Sequence, residues 1–248
     1  MVRSPLENAY SYSDSTDGLE FTETDDTFTV SGIGTATDTE MVIPNTHNGK
    51  PVTAIGNGAL RHCLKLISVI IPDSVTSIGY GAFRDCRNLK SISIPGSVVS
   101  ISFGAFDGCY NLQNITVPDK ITSIEHCAFR KCKALKSIIA GDKVTYIGEH
   151  AFDGCEMLNS VVLDGVITID FGAFCRCREM KTISLPQTLK IIQSYTFFSC
   201  VNLTDITFHG TIEQWKSIKK YYRWDLHTAD YTVHCTDGDI PKQPSNNN

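Results

Sequence analysis

Residues 71–93 read IPDSVTSIGYGAFRDCRNLKSIS, and the next 23, residues 94–116, read IPGSVVSISFGAFDGCYNLQNIT. The same pattern continues through 117–139 (VPDKITSIEHCAFRKCKALKSII) and 140–162 (AGDKVTYIGEHAFDGCEMLNSVV). It loses one residue in 163–184 (LDGVITIDFGAFCRCREMKTIS) and closes with 185–207 (LPQTLKIIQSYTFFSCVNLTDIT). An irregular first copy runs from about Met41 to Ile70, with extra residues between Pro44 and Val52. Seven units therefore occupy residues 41–207, and one column holds Leu60, Phe83, Phe106, Phe129, Phe152, Phe174 and Phe197. A fixed period of this size is the mark of a solenoid.

The physics of one unit is readable from 71–93. Lys90-Ser91-Ile92-Ser93-Ile94 alternates polar and apolar, which predicts a short strand with one buried face, and Pro95 ends it because proline has no N–H for the ladder. Val75-Thr76-Ser77-Ile78 is a second alternating piece ahead of Gly79 and the Ala82-Phe83 pair. So short a unit cannot bury a phenylalanine and several aliphatics alone, so each coil needs a neighbour on either side. Strand spacing then predicts a core roughly 30–35 Å long.

Both ends of such a stack must be covered. Residues 18–40 contain two alternating stretches around Asp25-Asp26 and predict an N-terminal capping hairpin. Residues 208–238 predict a C-terminal cap, with a helix over Lys216–Trp224, a closing strand Tyr231–Cys235, and Trp215 and Trp224 sealing the last rung. Residues 1–17 and 239–248 are polar and read as flexible tails.

The chain has 248 residues, 42% of them hydrophobic, and a net charge of −5. An acidic balance argues against nucleic acid, whose phosphates call for a basic face. No run of about 18 apolar residues predicts a membrane span, and no apolar stretch behind Arg3 reads as a signal peptide.

Ten cysteines suggest disulfides by count, but Cys63, Cys86, Cys109, Cys132, Cys155, Cys177 and Cys200 fall once per repeat. Side chains stacked on successive rungs point the same way, whereas a disulfide needs converging Cβ vectors, so the column reads as buried thiols. Cys127 and His150 share another column, and with His126 or Glu149 they form the one arrangement resembling a metal or activated-thiol site. His209, His227 and His234 gather with Cys235 and Asp225 in the cap, but over separate elements. Asp85, Asp107 and Asp153 recur before the cysteine column and read as turn and helix caps. The sequence assigns no catalytic residue, no metal and no cofactor, and the protein reads as a non-enzyme.

The repeat Leu-x-x-Ile-x-Ile-Pro followed by Ile-Gly-x-x-Ala-Phe-x-x-Cys resembles the leucine-rich repeats of BspA-type bacterial surface proteins, the Treponema pallidum class. The segment from Gly210 through Trp215 to Gly238 resembles the C-terminal cap found with such repeats in gut Firmicutes. The resemblance implies a curved, strand-dominated leucine-rich-repeat solenoid with short irregular or helical turns. It implies a secreted or cell-surface protein that binds proteins of a host or of other microbes. Ala140-Gly141 and Leu163-Asp164 depart from it by lacking the proline, and the fifth regular copy has lost one residue, which together predict a local irregularity near residues 140–166.

In such repeats the outward strand residues line the binding face. Here those are Ser91, Ser93, Asn114, Thr116, Ser137, Ile139, Ser160, Val162, Thr182 and Ser184. They make a small-sided, mostly uncharged surface with an apolar patch at Ile139 and Val162. The irregular turns at Tyr146, His150 and Tyr195 are a second candidate surface. The leading expectation is an adhesin-like module holding a host or microbial protein on this face. The rival is a structural spacer within a larger surface protein, with no ligand of its own.

Overall fold

A computed structural model describes residues 15–242, which form a strand-dominated solenoid of about nine turns. Near the N-terminus come β1 (Glu20–Thr24), β2 (Thr27–Gly32), β3 (Glu40–Val42), β4 (Thr46–His47) and β5 (Lys50–Ile55). The first regular rungs supply β6 (Ser68–Ile70), β7 (Ser77–Ile78), β8 (Ser91–Ser93), β9 (Ser100–Ile101) and β10 (Ser123–Ile124). Then follow β11 (Ser137–Ala140), β12 (Tyr146–Ile147), β13 (Ser160–Leu163), β14 (Thr168–Ile169), β15 (Thr182–Leu185) and β16 (Ile191–Ile192). The chain closes with β17 (Asp205–Phe208), α1 (Ile212–Ser217), β18 (Lys219–Lys220), β19 (Thr232–Cys235) and β20 (Gly238–Pro241).

Most repeats place one strand on each of two sides of the coil, and like strands pair in parallel with like residues in register. On one side Ser137, Ser160, Thr182 and Asp205 stand in a row, as do Ile138, Val161, Ile183 and Ile206. On the other side the pairs Ile147–Ile169 and Ile169–Ile192 continue the same stacking. Register holds because a slip by one residue would turn every buried aliphatic to solvent.

The aromatic column is the axis of the core. Phe83, Phe106, Phe129, Phe152, Phe174 and Phe197 are all buried and stack with centroids 5.2–5.7 Å apart and interplanar angles no larger than 11°. Burial of each ring contributes roughly 1.5–3 kcal/mol, and each stacked pair about 0.5–1.5 kcal/mol more. The thiol column serves this stack. Each of Cys109, Cys132, Cys155, Cys177 and Cys200 donates its S–H to the carbonyl of the phenylalanine one rung back, at 3.1–3.3 Å. Phe106 and Phe129 carbonyls already accept the N–H of Cys109 and Cys132, so the thiol fills the second lone pair. All ten cysteines are free.

Asp107 and Asp153 are not caps, contrary to the sequence expectation. Arg130 grips Asp107 with two hydrogen bonds of 3.0 and 2.7 Å, and Arg176 grips Asp153 at 3.0 and 2.6 Å. Arg84 lies 3.4 Å from Asp107 on the opposite rung, and Asp85 faces His62, Arg84 and Arg87 at 3.7–3.8 Å. In an alternating Arg84-Asp107-Arg130-Asp153 column a carboxylate reaches a guanidinium of the next rung more readily than a backbone N–H. Backbone geometry explains the neighbouring columns. Gly81, Gly104 and Gly172 have φ of 54–59°, and Cys127 and His150 occupy the same left-handed position at 55° and 53°.

The predicted irregularity at 140–166 is confined to the turn of the copy that is one residue short. Asp164-Gly165 form a bend without the N–H to C=O turn bond made at Val144 and Leu189, and Gly165 runs so close to the Asp142 carbonyl that a Cβ would not fit. The strands are regular: β11 and β13 are four residues long and pair throughout, and the N–H of Asp164 bonds the Ala140 carbonyl at 3.1 Å. Losing the proline restores a donor and lengthens the ladder. The real discontinuity lies one rung earlier. Residues 114–117 form no strand, β8 does not pair with β11, and β9 does not pair with β10. Ile94, Ile115 and Val117 are only half-buried at this joint. The turn side stays closed, with N–H bonds from Gly104, Phe106 and Gly108 to the next rung at 2.8–3.0 Å.

Both ends are capped, with corrections to the expected boundaries. The hairpin β1–β2 forms around Asp25 and Asp26, and β2 pairs parallel with β5. The extra residues of the first copy fold as the hairpin β4–β5, placing His47 flat on Phe21 at 4.0 Å. Thr16 belongs to the fold rather than to a tail: it is buried and exchanges two hydrogen bonds with Val42, covering the outer edge of β3. At the other end β20 pairs antiparallel with β19, so residues 238–241 also belong to the cap. The helix spans Ile212–Ser217 rather than 216–224, because Thr211 and Gln214 form a capping box that starts it early. The remaining tail residues, 1–14 and 243–248, lie outside the described residues.

Candidate functional site

The proposed face is built by alternation along the strands. In β11 and β13 the residues Ile138, Ala140, Val161 and Leu163 are buried, which turns Ser137, Ile139, Ser160 and Val162 outward. Ser91, Ser93, Asn114, Thr116, Ser137, Ile139 and Thr182 are exposed, while Ser160, Val162 and Ser184 are half-buried. Cross-strand register brings Ile139 beside Val162 and Val162 beside Ser184. Ile139 is 64% exposed, the largest value among the exposed large hydrophobic residues described.

The ten residues do not form one ladder. Ser91 and Ser93 belong to the sheet ending at β8, six others belong to the sheet starting at β11, and Asn114 and Thr116 sit on the unpaired rung between them. Ser184 is engaged by His209 at 2.8 Å. At the far edge Thr207 stands opposite His234, which lies 3.1 Å from Asp205 and 3.0 Å from Asp239. Hydrogen bonds to Asp205 and then to Asp239 raise the His234 pKa above its ordinary value.

The second candidate surface is more aromatic than the sequence reading gave it. Tyr80 stacks on Phe103 at 5.3 Å, and the row continues through His126 to Tyr146. A second row runs from His150 through Phe171, Tyr195 and Phe198 to His227. These rings touch in rows yet Tyr80, Phe103 and Phe171 stay 38–45% exposed, and Tyr146 is held by a 2.5 Å hydrogen bond to Asp170. The signal was available: Tyr80, Phe103, His126 and Phe171 share one column of the repeat.

The Cys127–His150 idea does not gain geometry. Cys127 is buried, and that burial raises its thiol pKa, the opposite of activation. His126 instead accepts the N–H of Glu149 at 3.1 Å, and His150 lies 3.7 Å from both Glu149 and Asp153. In the cap, His209, His234 and Asp225 each have a separate partner, the last being the Tyr231 hydroxyl at 2.8 Å. Among the described residues no three His, Cys, Asp or Glu side chains are grouped to hold a metal.

A family model for the BspA type leucine rich repeat region matches residues 53–168 and 157–223 in six copies. The chain belongs to this family. A leucine-rich repeat protein from Bacteroides ovatus is 27% identical with a TM-score of 0.70, over 88% of this chain and 70% of that one. The Treponema pallidum leucine rich repeat protein is also 27% identical, with a TM-score of 0.67, over 75% of this chain and 88% of that one. A leucine rich cell surface protein from Faecalibacterium prausnitzii shares the fold at 22% identity and a TM-score of 0.59, over 89% of this chain and 75% of that one. No curated protein matches the chain. The BspA-type repeat makes this a repeat module of the protein-interaction kind. No helix among the described residues is long and apolar enough to cross a membrane.

Proposed function

We propose that this BspA-type chain is a non-enzymatic, adhesin-like module, secreted or held at a bacterial surface, which binds a host or microbial protein on its strand face. The observation that carries the reading is Ile139, 64% exposed on β11 and continuous with Val162, within a flat field of serine and threonine. An aliphatic kept in water on a rigid, register-locked surface is stabilised when a partner covers it. A preformed face also loses little freedom on binding, so many small contacts can add up. Multiple copies or a longer parent chain would raise the avidity of so polar a surface.

A spacer role is the second reading, and it is favoured by the lack of any aromatic anchor among the ten face residues. Surface binding of purified protein to extracellular-matrix proteins, mucins and cells separates the two. Saturable binding that drops at least about tenfold with Ser91→Arg, Thr116→Arg and Ile139→Arg combined supports the strand face. Binding unchanged by the three substitutions moves the site to the aromatic turns or the caps. No binding on any surface favours the spacer.

A further inference from the structure

The phenylalanine stack ends in a different kind of ring cluster. Phe197 meets Trp224 edge-on at 5.9 Å, Trp224 meets Trp215 at 6.2 Å, and Tyr231 lies 6.0 Å from Trp224 at a 64° angle. These rings close the stack, since Phe197 and Phe208 are fully buried beneath them, and outside them, on the C-terminal cap, lies an open cavity of about 800 Å³. That size suits a small organic molecule, for which pockets run from about 300 to 1,000 Å³. Its walls are Trp215, Trp224, Tyr221 and Tyr231, with Leu226 and Ile240 between them.

The polar groups in the lining are biased in sign. Lys216, Lys220, Arg223 and Lys242 meet only two carboxylates, Asp225 and Asp239, in a chain whose net charge is −5. Both carboxylates are engaged, Asp225 by the Tyr231 hydroxyl at 2.8 Å and Asp239 by His234 at 3.0 Å. Lys220 is half-buried, with its ammonium 4.4 Å from the centre of the Trp215 ring. It donates to the Trp215 carbonyl at 2.5 Å and to the Ile218 carbonyl at 3.3 Å, and an ammonium has three N–H groups. Burial holds this lysine down at about 8, a cost that a nearby anion would offset. Lys216 and Arg223 are exposed at the mouth.

We propose that this cavity is a binding site for a small aryl or arylalkyl carboxylate, with the ring against Trp224, Tyr221 and Leu226 and the carboxylate against Lys220, Lys216 and Arg223. The ring walls select a flat apolar body and the excess of cations over carboxylates selects the negative charge, although Lys242 already donates to the Thr228 and Ala229 carbonyls at 3.1 and 3.2 Å. The site is independent of the strand face, because no residue of that face lines it.

The two tryptophans of the chain both line the cavity, so their emission reports occupancy directly. The full chain is titrated with 4-phenylbutyrate and, as the charge-inverted control, with 4-phenylbutylamine. The expected result is a saturable change with the acid and an affinity at least about tenfold weaker for the amine. Lys220→Met is expected to weaken the acid, and because this lysine also ties down the end of α1, a second variant is needed. Lys216→Glu with Arg223→Glu changes only exposed rim residues and, with unchanged circular dichroism, is expected to lower acid affinity at least about tenfold. Equal affinity for acid and amine, unaltered acid affinity in the rim variant, or no saturable change up to about 10 mM would each overturn the proposal.

Discussion

At the scale of single residues, the cysteines are the clearest instance of position deciding chemistry. The thiols of Cys109, Cys132 and Cys155 are pushed up chiefly by burial and are spent on carbonyls of the phenylalanine column. Cys175 sits outside that column, and burial followed by the charge of Asp153 still pushes it up to about 12. Cys63, on the first rung, is only half-buried, and a hydrogen bond with Cys86 holds its thiol below the ordinary value. Since the thiolate is the nucleophile, iodoacetamide applied to native protein should label Cys63 first and leave the six buried thiols of the column, Cys86 to Cys200, unlabelled until global unfolding. Peptide mapping of labelled sites over time checks this order, and early labelling of Cys132 or Cys155 would contradict it.

At the scale of elements, the joint between the β8/β9 rung and the β10/β11 rung is the weak place in the stack. Both ladders stop there, yet Phe106 and Phe129 still stack at 5.4 Å and the turn-side bonds cross it. Opening such a joint breaks no strand pairing, so it needs less free energy than opening elsewhere. Amides of residues 115–124 are therefore expected to exchange with deuterium at least about tenfold faster than those of residues 138–147, one rung on. Equal protection in the two segments would show that the joint is as firm as its neighbours. The consequence for function is direct, because Asn114 and Thr116 lie on this rung and divide the candidate face.

At the scale of the whole molecule, a solenoid is as stable as its ends, since each interior rung leans on two neighbours and a terminal rung on one. The C-terminal end is held partly by His234 between Asp205 on β17 and Asp239 on β20. The folded-state pKa of His234 is raised from 6.5, so its contribution is complete below that value and fades as pH rises through the raised one. The pKa of Asp205 is lowered from 3.8, first by Thr204 and then by His234. Its contribution is complete above 3.8 and fades as pH falls through the lowered value. Thermal unfolding should therefore show a lower Tm at pH 8.5 than at about pH 5.5, and His234→Gln should remove most of that difference. The groups are solvent-exposed, so the shift should shrink at high salt.

The sequence by itself determined the period, the aromatic and thiol columns, the parallel stacking, the N-terminal hairpin and the outward or inward sense of each face residue. All of these follow from one alternation repeated at a fixed spacing, and identical rungs must place identical residues over one another. Tertiary structure alone decided what varies between rungs. Asp107 and Asp153 read as caps until Arg130 and Arg176 were seen one rung away, because which long side chain meets which carboxylate depends on the stacking distance. The open joint at residues 114–117 has no mark in the repeat, whereas the missing proline at 164 looked like damage and instead extended the sheet. The cavity outside Trp224 was equally hidden: the sequence places two large rings at the end of the stack, where they cover Phe197 and Phe208, but only the folded cap shows which lysines and tyrosines surround the depression beyond them.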